Sequence, residues 1–209
     1  MDETSSRGEQ TREAILQAAY QLFLGNGYHA TSMRQIALTA GVALGGIYNH
    51  FSSKEDIFLE VVMDHHPLII ILPVLESSQG ASLEEFFRDA ARRAIQALGS
   101  RADVINLMFI ELVEFGGKHL PEVFDRVYPK VQAFIQRFPG DRDELRDIPV
   151  FVLVRFFFGL VFTHFLIEQL IVDRFPPEYR QDTLPAYIDI FLHGILASKV
   201  VPKESGGQL

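Results

Sequence analysis

The sequence predicts an all-α fold, with three short helices at the front and larger, more apolar helices behind. Three observations carry this. Apolar residues recur at i, i+3 and i+4 in every long segment. No run alternates apolar and polar residues as a half-buried strand would. The periodic segments break at Gly, Pro and helix-capping residues. With 209 residues, 48% hydrophobic and 22% charged, the chain is long enough for one or two domains with a sizeable core.

The first helix spans about Thr11 to Phe23, where Ile15, Ala18, Ala19, Leu22 and Phe23 share a face, and Gly25-Asn26-Gly27 ends it. A second, from Met33 to Ala40, is capped by Thr31 or Ser32. Gly41-Val42 makes a tight turn, and a third short helix covers Leu44 to His50. Ser52 or Ser53 caps a fourth from Lys54, with Glu55 and Asp56 where the helix dipole favours acids. Pro67 and Pro73 should kink or end it. Ser82 and Glu85 form a capping box for a helix to Leu98. Further helices are expected over 102–115, from Pro121 to Phe138-Pro139-Gly140, over 149–172 and over 184–200, with a charged loop DRDELRD and a polar tail PKESGGQL.

Composition excludes several classes. There is no Cys, hence no disulfide, zinc-thiolate site or cysteine nucleophile, which fits a reducing, cytoplasmic setting. The N-terminal MDETSSRGEQTRE is polar and has no apolar core of a secretory signal. Residues 148–172 are long enough to span a bilayer, but Arg155, His164 and Glu168 lie inside and no basic cluster flanks them. A buried or interface helix is the better account, and no membrane partner is expected. In Asp64-His65-His66 the adjacent imidazoles point about 100° apart on a helix, a poor chelate, so no metal or cofactor is expected. No nucleophile elbow or phosphate loop appears, so no catalytic residue is assigned.

The informative stretch is Thr31 to Lys54, TSMRQIALTAGVALGGIYNHFSSK. Ile36, Ala37 and Ala40 form one apolar face, Gly41 permits the sharp turn, and Ile47 and Phe51 pack the third helix. Two short helices at this spacing form a helix-turn-helix, whose second helix fits the major groove. The net charge is −8, yet residues 29–54 hold Arg34, Lys54, His29 and His50 and no Asp or Glu. A gap of that kind suggests a surface facing phosphate. Gly45 and Gly46 each cost about 1 kcal/mol of helix propensity, and close approach to a DNA backbone is one reason to accept it.

This stretch resembles the DNA-binding domain of TetR-family transcriptional regulators. The matching positions are Thr31, Ser32, Ile36, Ala37, Ala40, Gly41, Val42, Gly45, Tyr48, His50, Phe51, Ser53, Lys54 and Glu55. Ala43 and Gly46 depart from the pattern, where a hydroxyl residue and Thr, Ser or Ala are usual, and direct contacts are lost with them. The resemblance implies a DNA-binding domain over 1–53 and an effector-binding and dimerisation domain over 54–209. DNA contacts are expected from Thr31, Ser32, Arg34, Leu44, Gly45, Gly46, Tyr48, Asn49, His50 and Lys54.

The resemblance further implies a small effector and a homodimer through the last two helices, 149–172 and 184–200, bound to a palindromic double-stranded operator. Phe86, Met108, Phe109, Leu112, Phe115 and Phe158 offer apolar walls for a lipophilic effector. Glu111, Arg155 and His164 would supply polar anchors, with Glu111 or Glu114 as a partner for Arg155. His164 and Glu168 share a helix face, whereas Arg155 and His164 do not. Gly159 and Gly194 permit close helix approach, and Phe191 is expected on the dimer seam. The function expected is a ligand-responsive repressor. An activator with the same DNA-binding domain and a helical lipid-binding enzyme are the alternatives.

Overall fold

The structure is a computed structural model describing residues 7–99, 101–136, 146 and 148–195. The described residues form ten α-helices and no strand: α1 Arg7–Asn26, α2 Met33–Thr39, α3 Leu44–Ile47, α4 Lys54–His65, α5 Pro67–Glu76, α6 Leu83–Leu98, α7 Ala102–Glu114, α8 Leu120–Gln136, α9 Val150–Leu170 and α10 Leu184–Ile195. Two 3₁₀ turns, Val172–Arg174 and Pro177–Tyr179, lie between α9 and α10. The polar tail, the Phe138-Pro139-Gly140 stop, most of the charged loop and the last turns expected to Val200 lie outside the described residues.

Two compact units emerge, Met1–Glu76 with Gln96–Phe134, and Ser77–Ile95 with Ile135–Leu209. In the first, α1 packs on α2 and α4, α2 on α3, and α7 on both α1 and α4. Its core is built from Ile15, Phe23, Ile36, Ile47, Ile57 and Phe58, all fully buried. Burying each such side chain contributes about 1.5–3 kcal/mol. Gly41 closes the α2–α3 turn at φ +70, a conformation other L-residues adopt only at a cost.

Local chemistry sets the helix ends. Ser32 caps α2 through the Gln35 N–H, and the Gln35 side chain accepts from the Ser32 N–H, a complete capping box. Ser53 caps α4 through the Asp56 N–H. α4 stops at His65 because the residue before a proline is pushed out of the helical region; His66 has ψ 135 and α5 restarts at Pro67. Pro73, expected to kink or end the helix, lies inside α5 without ending it. Ser82 accepts the Glu85 N–H, while the Glu85 carboxylate takes the Ala81 N–H instead of that of the cap itself. α3 is shorter than expected and ends at Ile47. Two successive glycines weaken it, and the chain continues with tighter bonds, Asn49 N–H to Gly46 O and His50 N–H to Ile47 O.

In the second unit, Phe87 of α6, Phe157 of α9 and Phe191 of α10 form one ring cluster with centroids 5.0–5.8 Å apart. Phe191, expected on the seam, is 1% exposed and packed within one chain, and it also lines the groove along α9 and α10. Its ring is covered by Phe87 of α6, a contact that position along α10 does not reveal. Arg88 of α6 is paired with Glu84 and with Asp189 of α10. α9 and the stretch Lys54–Glu76 are long and apolar enough to cross a bilayer by length and composition. The latter is two helices, broken at His66.

Candidate nucleic-acid interface

The α1–α2 turn, α2 and α3 form the surface expected to meet DNA, and the structure divides its candidate residues into two groups. Ser32, Arg34, Leu44, Gly45, Tyr48 and Asn49 are exposed, Tyr48 by 55% and Leu44 by 44%. Gly46 and His50 are half-buried. A Cβ added at Gly45 or Gly46 would meet nothing within 4 Å, so neither glycine is demanded by packing inside the protein. Tyr48 keeps helical geometry as the C-cap of α3, with φ −72 and ψ −10.

Thr31 and Lys54 belong to the second group. Thr31 is 2% exposed, and its hydroxyl donates to the carbonyls of Leu22 and Gly27. It ties α1 to the turn instead of offering itself to a phosphate. The Lys54 ammonium donates to the carbonyls of Tyr28 and Thr31 at 2.7 and 2.6 Å and lies 4.0 Å from the Tyr28 ring centre. Burial lowers its pKa, against the pull of Glu114. An ammonium has three donors, and two are used here to satisfy turn carbonyls. The reason is geometric: α4 starts where the α1–α2 turn presents its carbonyl ends.

Sequence reasoning missed the groups that hold this turn from behind. The Glu114 carboxylate, at the end of α7, accepts the backbone N–H groups of Tyr28 and His29 at 3.3 and 3.1 Å. The Tyr28 ring packs on Phe58 and on Phe115, and Phe115 stacks on Phe58 with centroids 4.7 Å apart. Below them, His119 is buried with its two ring nitrogens facing carboxylates, Nδ1 2.7 Å from Glu111 and Nε2 3.2 Å from Glu55. Glu111 also accepts the His119 N–H at 2.8 Å. Lys118 pairs with Glu55, and these contacts hold the Glu55 carboxyl below the usual range, Lys118 first and His119 second. Glu114 reaches Tyr28 and His29, and Glu55 reaches Lys118 and His119, across more than 60 residues of sequence, beyond the reach of any local pattern.

The effector candidates are correspondingly redistributed. Phe115 is engaged with the reading head through Tyr28, and Glu111 is bound by His119. Glu114 binds the α1–α2 turn. Neither is the counter-ion expected for Arg155, which is exposed on α9. Met108 is half-buried, and Phe109 and Leu112 are 52% and 49% exposed along α7. In the other unit Phe86 is buried and Phe158 half-buried. His164 is buried, with the Thr183 hydroxyl 3.5 Å from Nδ1 and its ring against Tyr187. Its fourth-residue neighbour Glu168 is half-buried on the same helix.

An exposed, acid-free α3 joined through Gly41 to a capped α2 defines a helix-turn-helix protein. Residues 15–61 match the family model for bacterial regulatory proteins of the tetR family. The HTH-type transcriptional repressor BepR of Brucella suis is 37% identical over 46% of this chain and 52% of its own. The chain spans about half the length of the curated relatives it matches. Solved structures extend the likeness to the whole fold. A TetR-family regulator from Mesorhizobium loti superposes with TM-score 0.70 at 23% identity, over 92% of this chain and 100% of that one. NalD, the secondary repressor of the MexAB-OprM multidrug efflux pump in Pseudomonas aeruginosa, gives TM-score 0.63 at 26% identity, over 91% and 99%. Residues 15–61 thus carry the helix-turn-helix of TetR-family regulators, and the chain as a whole shares the fold of solved TetR-family structures.

Proposed function

We propose that this protein is a cytoplasmic, ligand-responsive repressor that binds a palindromic DNA operator as a homodimer and is released by a lipophilic small molecule. One observation carries the reading. The surface of α3 is exposed and free of acids, and the turn behind it is clamped by Glu114 of α7, a helix otherwise rich in apolar side chains. A change in α7 therefore reaches the reading head through a hydrogen-bonded contact. A ligand that favours one arrangement of α7 shifts the population of the groove-compatible head by its differential affinity. The repressor names of BepR and NalD support the sign of regulation.

The outer face of α9 and α10 supports the dimer. It carries a shallow groove of 530 Å³ lined by Val152, Arg155, Phe156, Gly159, Tyr187 and Ile190 among others. Ile190 is 73% and Phe156 59% exposed. A Cβ added at Gly159 or Gly194 would meet nothing within 4 Å, which leaves both open to a close helix neighbour. Two such helices from each copy make a four-helix bundle and set two recognition helices for two half-sites.

The test is a gel shift of the full chain on duplex DNA from the region upstream of its own coding sequence, with and without lipophilic candidates. Retardation that a ligand relieves is the expected outcome. Retardation that no ligand changes removes the effector part of the reading, and no retardation at any salt concentration removes the DNA part.

A further inference from the structure

The base-reading surface is unusual in what it lacks. From Leu44 to His50 there is no Asp, Glu, Lys or Arg. Recognition of guanine in the major groove is made chiefly by Arg or Lys, bidentate to O6 and N7. Arg34 lies on α2, the helix that crosses the phosphate backbone in this motif. Gln35, the other residue of α2 suited to a base edge, has its side-chain oxygen committed to the Ser32 N–H and hydroxyl. Lys54 is committed to the Tyr28 and Thr31 carbonyls, and His50 is half-buried. What remains outward on the reading element is Leu44, Gly45, Tyr48 and Asn49.

These side chains suit one kind of base pair. A branched aliphatic side chain has no donor or acceptor, and the apolar group on the major-groove floor is the thymine C5-methyl. An Asn amide pairs with adenine N6 and N7. Gly45 and Gly46 have open space where a Cβ would stand, so the α3 backbone can sit low and bring Leu44 against a methyl. We infer that the operator half-site is discriminated at A·T pairs, with Leu44 reading a thymine methyl and Asn49 an adjacent adenine. The inference rests on the DNA-binding reading above and names what that surface selects.

The experiment uses the full chain. Binding sites are selected from a random duplex library, and each thymine of the selected half-site is then replaced by deoxyuridine, which removes only the methyl. One position should cost the wild type about fourfold in affinity, the worth of one buried methyl-sized group. Leu44→Ala should lose the same factor on the thymine site and be indifferent to uracil. Asn49→Ala should lose at least about fivefold and relax the preference for adenine at one position. Leu44 and Asn49 are exposed, so both variants should melt as the wild type does. A half-site in which guanine N7 methylation blocks binding and no uracil substitution matters overturns the inference while DNA binding stands. Failure of the wild type to retain any duplex overturns the DNA-binding reading and the inference with it.

Discussion

His66 makes the stability of the first unit depend on pH. It sits between α4 and α5, and burial pushes its pKa down to about 4. The Leu68 N–H donates to its Nδ1 at 3.3 Å, a bond that only the unprotonated nitrogen can accept. In the unfolded chain the imidazole titrates near 6.5. The folded pKa is the lower one, so the unfolded chain takes the proton first as the pH falls. The contribution of this neutral ring is therefore complete above the unfolded pKa and is lost progressively down to pH 4. Linkage puts the whole loss at about 3 kcal/mol, of which about 2 kcal/mol falls between pH 7 and 5. His66→Asn keeps an acceptor for the Leu68 N–H and removes the titration. Urea denaturation at half-unit pH steps should show the wild type losing about 2 kcal/mol more than the variant over that interval. His65, stacked on Tyr20 and also pushed down by burial, is present in both proteins and cancels in the difference. Parallel curves for the two proteins from pH 7 to 5 would refute the argument.

Other perturbations separate the roles assigned above. Glu114→Ala strands the N–H groups of Tyr28 and His29 and should cost about 2 kcal/mol of stability by urea titration, with Glu114→Gln losing less. Arg34→Ala should keep the wild-type melting temperature and lower the salt slope of log K for DNA by about one unit. Lys54→Ala should instead lower the melting temperature, because two turn carbonyls lose their donor. Ile190→Glu should yield a folded monomer in sedimentation, whereas Phe191→Glu should unfold the second unit, since Phe191 packs on Phe87 and Phe157.

Much of this molecule is written in short-range pattern. The period of the apolar residues predicts the helices, and Gly41, Ser32 and Ser53 predict the turn and caps that the structure contains. The helix-turn-helix follows from Thr31 to Lys54, because its turn, caps and apolar face are set within one stretch of chain. The break at His66 is equally local, since proline sterics act on the residue before it. Pro73 shows the limit of such rules, as α5 continues through it.

What tertiary structure alone decided is which polar groups are spent and which are free. Lys54 and Thr31 fit a DNA-binding pattern by type and spacing, yet their donors close the α1–α2 turn. Glu111, Glu114 and Phe115 fit an effector pocket by position on α7, yet the first turns to His119 and the other two to the reading head. Phe191 and Ile190 are neighbours in sequence, and only the packing of α6 against α10 makes one core and the other surface. Local propensity is settled by neighbours a few residues away. The commitment of a donor, a carboxylate or a ring is settled by whichever distant residue the fold brings within reach, and an unpaired buried group costs too much for that pairing to be left open.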